Sequence, residues 1–277
     1  MRETSVAILG AGSMGTAILA GLLKSGLDPA TVTTTVAKVE SADALAKKYG
    51  VTAYSTEYQP RANLLAATGA KLILLAVKPA MIADLLKEIH DSVSPDALVV
   101  SVAAGITTHT IESHLPKGVG VVRAMPNTPA IISKAVTGVA AGKSASAEQV
   151  AEAVKLFETV GTVVQIDEGQ IDALSTISGS GPAYVFFMIE AFTKAAIAQG
   201  FTAAQAKQLV EQTFLGSTLL LEHTHGDPAE LRRQVTSPNG TTMKAIAVLE
   251  SNGLDKIFIE ATSAALARAK EIAEGKI

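Results

Sequence analysis

The first 166 residues alternate between short apolar runs and longer segments of mixed polarity. Residues 72–77 read Leu-Ile-Leu-Leu-Ala-Val, an unbroken run typical of a parallel strand buried on both faces. Between such runs the apolar positions recur every three or four residues, which predicts helices. This alternation predicts a doubly wound α/β sheet. Strands are predicted at residues 6–9, 31–36, 51–54, 72–77, 98–102, 119–122, 136–140 and 162–166.

From Glu168 onward the sequence contains no strand-like run, and the spacing of apolar residues predicts an all-α region. We therefore predict two domains, an α/β domain over residues 1–166 and an all-helical domain over residues 167–277.

Three helix starts carry a local signature. Ser146 with Gln149, and Thr202 with Gln205, have the spacing of a capping box, and Asp227 precedes a proline as an N-cap residue would. Helices are predicted at residues 16–23, 41–49, 81–89, 150–160, 171–199 with an interruption at 178–182, 202 to about 221, from 228, 242–250 and 255–273.

A glycine-rich turn follows the first predicted strand. Gly10, Gly12 and Gly15 form a Gly-x-Gly-x-x-Gly pattern between that strand and a predicted helix. In a Rossmann-like domain these glycines allow a tight turn, a close approach of backbone to pyrophosphate, and close packing of helix on strand. The free N–H groups of the helix N-terminus would bind the pyrophosphate. A turn that merely connects two elements is the alternative.

Composition limits the remaining classes. The chain has 277 residues, is 48% hydrophobic and carries a net charge of −3, so no basic surface for nucleic acid or an anionic membrane is expected. Cysteine is absent, which excludes disulfides and thiol chemistry. His223 and His225 are too close in sequence to make a good metal site without a third ligand, so no metal is predicted. A cytoplasmic location is expected by default.

The end of the second strand bears on the choice of cofactor. Thr35 and Lys38 lie there, and no carboxylate precedes Glu40. A hydroxyl and an ammonium suit the 2′-phosphate of NADP better than the free ribose of NAD, so NADP(H) is predicted and NAD(H) is kept as possible. A solvated Lys38 is the alternative.

Three further strand exits are candidates for a ligand site, since ligands of open α/β sheets bind at the carboxyl ends of strands. Lys78 and Pro79 follow the fourth strand, and the small residues after the fifth would let a flat nicotinamide lie against backbone. Residues 125–129 are a rigid exit with two prolines. Their alternative is a structural turn with Arg123 in an ion pair.

Residues 236–242 combine several hydroxyl groups with a glycine at a predicted helix start. Such a start presents N–H donors to one point and suits an anion of carboxylate size without a basic residue. An ordinary N-cap would need only one hydroxyl.

Four stretches together resemble the pyrroline-5-carboxylate reductase family: residues 76–79, 125–129, 178–184 and 236–242. The similarity extends over essentially the whole chain. It implies a Rossmann domain, a helical dimerisation domain with active sites at the dimer interface, and larger rings of dimers in some members. It also implies the reduction of pyrroline-5-carboxylate to proline in proline biosynthesis.

The resemblance carries site residues with it. Thr242 matches the hydroxyl expected to reach the ring nitrogen as the catalytic donor, with Glu168 nearby to favour positive charge. Family members often have an Asn in the loop after the third strand, where this chain reads Ser55-Thr56. Implied substrate contacts are Glu168, Gln234, Ser237, Gly240, Thr241 and Thr242. With the motif residues, the predicted cofactor contacts are Leu9, Gly10, Ala11, Gly12, Ser13, Met14, Gly15, Thr35, Lys38, Val77, Lys78, Pro79, Ala103 and Ala104.

Two other functions remain open at this point. A β-hydroxyacid dehydrogenase shares the glycine-rich start and a helical second domain, but it needs a helix lysine with an asparagine one turn later. Here Lys194 is followed at that spacing by Ala198. A non-catalytic NADP-binding sensor would bind NADPH without consuming it.

Overall fold

The structure, a computed structural model, describes residues 4–273. The chain divides into two compact units. One contains the residues up to Ser180 together with those from Leu266 onward, and the other is Gly181–Ala265. We call them the sheet unit and the helical unit. The predicted domains also include residues 1–3 and 274–277, which lie outside the described residues.

The sheet unit is built on one eight-stranded sheet with the strand order β3-β2-β1-β4-β5-β6-β7-β8. β1 pairs in parallel with β2 on one side and with β4 on the other, which is the arrangement of a doubly wound sheet. The strands are β1 Val6–Leu9, β2 Val32–Val36, β3 Thr52–Ser55, β4 Leu72–Leu75, β5 Leu98–Ser101, β6 Gly120–Met125, β7 Ala135–Ala141 and β8 Gly161–Gln165.

Every predicted strand is present, but β7 runs antiparallel to β6. The connection between them, from Met125 to Ala135, holds only a 3-10 turn at Thr128–Ile132. A parallel return would need a crossover of a dozen or more residues, so this connection is too short for one. β8 then pairs in parallel with β7 at the edge of the sheet.

The central strands are buried on both faces, as their unbroken apolar runs predict. In β4, Leu72 and Leu74 join the hydrophobic cluster on one side of the sheet, and Ile73 and Leu75 join the cluster on the other. The helices that cover the sheet are α1 Ser13–Lys24, α2 Val39–Tyr49, α3 Ala62–Ala67, α4 Ile82–Ile89, α5 Thr108–Glu112, α6 Ala147–Glu158 and α7 Ile171–Leu174.

Residues 167–180 lie in the sheet unit, although the predicted domain boundary falls between residues 166 and 167. Asp172 binds Arg123 of β6, and Glu168 binds Thr108 of α5, so this segment is tied to the sheet by polar side chains. The two-domain boundary at 166 stays a prediction, because compactness and family boundaries need not coincide.

The predicted long helix over residues 171–199 is interrupted, but the break begins earlier than the predicted residues 178–182. After α7 comes a π-helical turn, Ser175–Gly179, in which Ser180 N–H donates to the Ser175 carbonyl five residues earlier, at 2.8 Å. Single π turns inside helices are frequent at functional sites. The next helix begins at Gly181.

The helical unit contains long helices with few buried residues. The capping box of Thr202 and Gln205 is present, and Asp227 accepts from the N–H groups of Ala229 and Glu230. None of the described helices is long and apolar enough to span a membrane. The helices are α8 Gly181–Ala198, α9 Ala203–Thr224, α10 Pro228–Gln234, α11 Thr241–Ser251 and α12 Leu254–Ala273, of which α12 passes from one unit to the other at residue 265.

Candidate functional site

The glycine-rich turn between β1 and α1 is held against the end of β2. Gly10 has a φ of +92°, which favours glycine, and a Cβ there would lie 2.7 Å from Cγ1 of Val77. The N–H groups of Gly10 and Ala11 donate to the Thr35 carbonyl at 3.1 and 2.7 Å. The turn is therefore fixed in position before any ligand binds.

Gly12 is the N-cap of α1 and leaves the helix N-terminus open. No side chain caps the helix, and a Cβ built on Gly12 would meet no atom within 4 Å. The first N–H groups of a helix have no partner within it, and the helix dipole favours negative charge there. The turn therefore fits the pyrophosphate of a dinucleotide, which is the ligand predicted for it.

A cleft of about 600 Å³ opens in front of this turn, at the carboxyl ends of β1, β2 and β4. Lys38 and Lys78, both exposed, border it from either side. Its lining also includes Gly10, Ala11, Gly12, Thr35, Val36, Ala37, Ser41, Thr56, Pro60, Asn63, Ala76, Val77, Met81 and Glu88.

Thr35 has a supporting position in this cleft. Its side chain is buried, and its hydroxyl accepts from Gly10 N–H at 3.1 Å while donating to Asn63 Oδ1 at 2.8 Å. A hydroxyl has one proton, so Thr35 has none left to donate to a nucleotide phosphate. Direct contact between Thr35 and the cofactor stays a prediction.

The small residues after β5 border a second, smaller cavity of about 140 Å³ within the sheet unit. Ala103 is buried, and its N–H donates to Ser101 Oγ at 3.2 Å, whereas Ala104 is exposed. Ala104, Arg123 and Ser175 are among the residues that line the cavity. The ends of β5 and β6 thus leave room beside backbone, as a flat ring would require.

Arg123 lies in an ion pair, which is the structural alternative considered for it. Its side chain is only 4% exposed, and its guanidinium donates to Asp172 at 2.7 Å. A second guanidinium nitrogen lies 3.9 Å from Glu168. A buried arginine with two carboxylates in reach is neutralised, so it supplies no free positive charge for a substrate.

Glu168 is engaged at both oxygens. Oε1 accepts from the N–H of Thr108 at 2.6 Å, and Oε2 accepts from the Thr108 hydroxyl at 2.7 Å. These bonds fasten the start of α5 to the segment after β8. The geometry gives Glu168 a structural task, and its contact with substrate stays a prediction.

Asn127, in the rigid exit after β6, joins two of the four stretches on which the family resemblance rests. Its Nδ2 donates to the Ser178 carbonyl at 2.9 Å, and its Oδ1 accepts from Val136 N–H at 2.9 Å. One amide thus connects the π turn to the start of β7.

The predicted anion site lies in the helical unit, at the start of α11. Gly240 is the N-cap, without a side-chain hydrogen bond, and a Cβ there would lie 2.4 Å from Ser237 Oγ. Within the described residues the hydroxyls of Thr241 and Thr242 have no protein partner. Gln234 ends α10 and binds Glu230. An open helix N-terminus with free hydroxyls suits a carboxylate.

Comparison with known proteins identifies the family of this chain. Residues 168–272 match the model of the family described as pyrroline-5-carboxylate reductase dimerisation. Pyrroline-5-carboxylate reductase of Corynebacterium melassecola is 36% identical over 97% of this chain and 98% of its own length. The chain belongs to the pyrroline-5-carboxylate reductase family.

A second relative and a solved structure agree. The pyrroline-5-carboxylate reductase of Methanosarcina acetivorans is 36% identical over 98% of this chain and 99% of its own. The solved pyrroline-5-carboxylate reductase from Coxiella burnetii is 38% identical, covers 97% of this chain and 98% of its own, and superposes with a TM-score of 0.90. The predicted family and the predicted fold class, a Rossmann-like sheet followed by helices for dimerisation, are confirmed.

The cofactor prediction is also supported. Residues 5–105 match the model of the family described as NADP oxidoreductase coenzyme F420-dependent. That match covers the glycine turn, Lys38 and Lys78, so the cofactor of this pyrroline-5-carboxylate reductase family member is NADP(H). Use of NAD(H) stays a prediction.

The sequence motifs did not indicate several residues of the nucleotide cleft, among them Asn63 and Glu88. The loop after β3 reads Ser55-Thr56 where family members often have an Asn, yet the Asn63 side chain reaches the same cleft from α3. α3 is too short to produce a periodic pattern. A polar residue at the start of an otherwise apolar segment after β3 is the signal that could have indicated Asn63.

Lys194, which would be the catalytic lysine if the chain were a β-hydroxyacid dehydrogenase, is exposed. Lys194 donates to Glu190 at 2.7 Å, and this hydrogen bond holds the pKa of the Glu190 carboxyl below its ordinary value. An i,i+4 surface pair is its evident role. Among residues 4–273, no group of three or more histidine, aspartate or glutamate side chains could hold a metal ion.

Proposed function

We propose that this protein reduces 1-pyrroline-5-carboxylate to L-proline with NADPH, the last step of proline biosynthesis. The observation that carries the proposal is the open, uncapped start of α1 facing a cleft bordered by Lys38, in a chain of the pyrroline-5-carboxylate reductase family. NADPH supplies the hydride when bound. The residues of this chain would bind the nucleotide and the substrate, orient the two reactants and protonate the imine nitrogen.

On the nucleotide side, backbone groups and two lysines divide the work. The N–H groups of Ser13 and Met14 would hold the pyrophosphate, because α1 leaves them without a cap, whereas Gly12 N–H donates to the Gly10 carbonyl at 2.7 Å. Lys38 would neutralise the 2′-phosphate from the cleft border, and Lys78 lies at the opposite border. The nicotinamide would lie beside Ala104, which borders the cavity of about 140 Å³.

On the substrate side, the start of α11 would bind the carboxylate of the ring. The free N–H groups of Thr241 and Thr242 suit it, and glycine at position 240 lets Ser237 pack against the helix start, since a Cβ there would collide with the Ser237 hydroxyl. Ser237 and Gln234 are the further substrate contacts proposed.

The reaction places a hydride on the carbon of the C=N bond and a proton on its nitrogen. The Thr242 hydroxyl, which has no protein partner in the described chain, would donate to that nitrogen and be reprotonated from water. Glu168 takes no part in this step as we propose it, because both its oxygens bind Thr108. Most of the acceleration would come from alignment of the two reactants.

The experiment follows NADPH absorbance with pyrroline-5-carboxylate in wild type and in Thr242→Ala. Wild type should consume NADPH, and Thr242→Ala should lose at least about tenfold in kcat, as expected for a general-acid contribution that water partly replaces. Thr242→Ser, which keeps the hydroxyl, is the matched control and should retain most activity.

Two outcomes contradict the proposal. Full activity of Thr242→Ala removes the hydroxyl from catalysis. NADPH binding without consumption by wild type supports the non-catalytic sensor instead.

The helical region is a dimerisation domain, and the protein is a homodimer. We infer that dimers can assemble into larger rings, as the family resemblance implies for some members, and sedimentation velocity distinguishes a dimer from a larger ring of dimers. A cytoplasmic location is likewise inferred, and cell fractionation tests it.

A further inference from the structure

A directed chain of hydrogen bonds runs along one side of the nucleotide cleft. Gly10 N–H donates to the Thr35 hydroxyl at 3.1 Å, which donates to Asn63 Oδ1 at 2.8 Å. Asn63 Nδ2 donates in turn to Glu88 Oε2 at 3.0 Å. The chain therefore connects the glycine turn, the end of β2, α3 and α4, and it ends at a carboxylate.

The carboxylate determines the direction of every bond in that chain. A carboxylate only accepts, so Asn63 must turn its NH₂ group toward Glu88 and its carbonyl oxygen toward Thr35. The Thr35 hydroxyl must then donate its hydrogen bond to Asn63, which leaves a lone pair of the Thr35 oxygen to accept from Gly10 N–H. With a neutral amide in place of Glu88, Asn63 could adopt either orientation, and the Thr35 hydroxyl would no longer be held as an acceptor for Gly10 N–H. The bonds from Gly10 and Ala11 N–H to the Thr35 carbonyl would remain, so the turn would be loosened rather than lost.

The cost of keeping a carboxylate here indicates that it has a task. Oε1 of Glu88 is buried and has no hydrogen-bond partner within the described part of the chain. Burying an oxygen without a hydrogen-bond partner costs free energy of folding. The negative charge of Glu88 also lies beside a cleft proposed to bind the negatively charged phosphates of a nucleotide. Burial also means that a nucleotide cannot reach Oε1, and Oε2 is occupied by Asn63, so Glu88 acts through Asn63.

We propose that Glu88 is a positioning residue for the nicotinamide nucleotide, fixing the glycine turn through Asn63 and Thr35. It thereby keeps the Thr35 hydroxyl proton away from the cleft and the N–H groups at the turn in the arrangement that pyrophosphate needs. This inference rests on the proposed function only in taking a nicotinamide nucleotide as the ligand.

The test compares Glu88→Gln with Asp84→Asn in the full-length protein. Asp84 lies on the same helix, its side chain is 90% exposed, and it pairs with Lys87 at 3.7 Å, so Asp84→Asn makes the same change of charge without altering the bond to Asn63. Dissociation constants for NADP⁺ and NAD⁺ are measured by calorimetric titration, the Tm is measured without nucleotide, and KM and kcat are measured separately.

Glu88→Gln should raise the Kd for both nucleotides by about the same factor, roughly 3–10-fold, because the turn binds the pyrophosphate they share. KM for NADPH should rise in parallel, with kcat within about twofold of wild type, and Asp84→Asn should leave every value unchanged. In an Asn63→Ala background, Glu88→Gln should have no further effect on Kd, since both residues act in one chain.

An unchanged Kd in Glu88→Gln overturns the proposal, as does a lower Tm with unchanged nucleotide affinity, which is a purely structural role. Additive effects of Glu88→Gln and Asn63→Ala would show that Glu88 acts by another route and also overturn it. Because binding is read without substrate, a wild type that binds NADP⁺ but does not reduce pyrroline-5-carboxylate contradicts the proposed function alone.

Discussion

The two units of this chain bury their apolar residues very differently. In the sheet unit, β1 and β4 are buried along their whole length, and the helices on each face complete two hydrophobic clusters. In the described helical unit the fully buried apolar side chains are Ala206 and Val210. Large side chains there are exposed, among them Phe186 at 67% and Phe187 at 69%.

This difference in burial separates a unit that can form its site within a single copy of the chain from a unit that needs a second copy. A soluble protein rarely leaves a wide apolar surface open to water, and such a surface marks an interface. The sheet unit builds its nucleotide cleft from its own residues. The helical unit, in contrast, needs the apolar surface of a second copy to complete its core, as a dimerisation domain would.

The largest effect should come from a cavity in the sheet unit. Leu74→Ala removes a side chain with no exposure at all and should cost about 2–5 kcal/mol of unfolding free energy. Leu65, which is 44% exposed in the same unit, is the control, and Leu65→Ala should cost far less. Denaturant unfolding measures both. Equal costs would mean that the core is not where the burial pattern places it.

A charge in the exposed face of α8 should break the dimer instead. Phe187→Asp would bury a carboxylate in an apolar interface and should weaken dimer association at least about 100-fold. Its nucleotide affinity should stay unchanged, because the cleft belongs to the sheet unit. Sedimentation equilibrium measures the first and titration the second. Tyr58, 84% exposed in the sheet unit, is the control position, and Tyr58→Asp should remain dimeric.

A smaller effect is expected for Lys38, at the border of the nucleotide cleft. Lys38→Ala should raise KM for NADPH about 3–10-fold and leave KM for NADH nearly unchanged, since only NADPH carries the 2′-phosphate. Lys47, exposed on α2, is the control, and Lys47→Ala should alter neither value. Equal losses with both nucleotides would assign Lys38 to the shared part of the cofactor.

The smallest expected effect separates the protein from the rival dehydrogenase. Lys194 forms an exposed pair with Glu190, so Lys194→Ala should leave kcat within about twofold of wild type. A loss of several hundredfold in the steady-state assay would indicate a catalytic lysine and support the rival.

Much of this fold follows from local sequence. Unbroken apolar runs predict the central strands, because both faces of β4 are covered, and the capping boxes of Ser146 and Thr202 form within three residues. The direction of β7 is missed because the predicted strands leave 13 residues between them, whereas β6 extends to Met125 and β7 begins at Ala135, so the connection is too short for a parallel crossover. The helices α3 and α5 are too short for a periodic pattern.

The site is less predictable, because partners far apart in sequence determine what a side chain can do. From the sequence, Thr35 is a candidate ligand for a phosphate. In the structure its hydroxyl donates its hydrogen bond to Asn63, 28 residues away. From the sequence, Glu168 is a free carboxylate. In the structure both its oxygens accept hydrogen bonds from Thr108, 60 residues away. Motifs identify the backbone groups of a site well, since glycine turns and helix starts are local. Hydroxyl and carboxyl groups require the folded neighbourhood.

The amide of Asn127 places a constraint on the stretch that follows it. Its two ends hold the Ser178 carbonyl and the Val136 N–H, so nine residues of chain must return to one side chain. Ile131 and Ile132 within that stretch are more than 70% exposed, and their identity is of little consequence to the bond. The length of the stretch is another matter. Adding or deleting one residue should disturb the bond to Val136, so this loop is expected to accept changes at Ile131 and Ile132 more readily than changes in its length, whereas Ala130 is buried in the core.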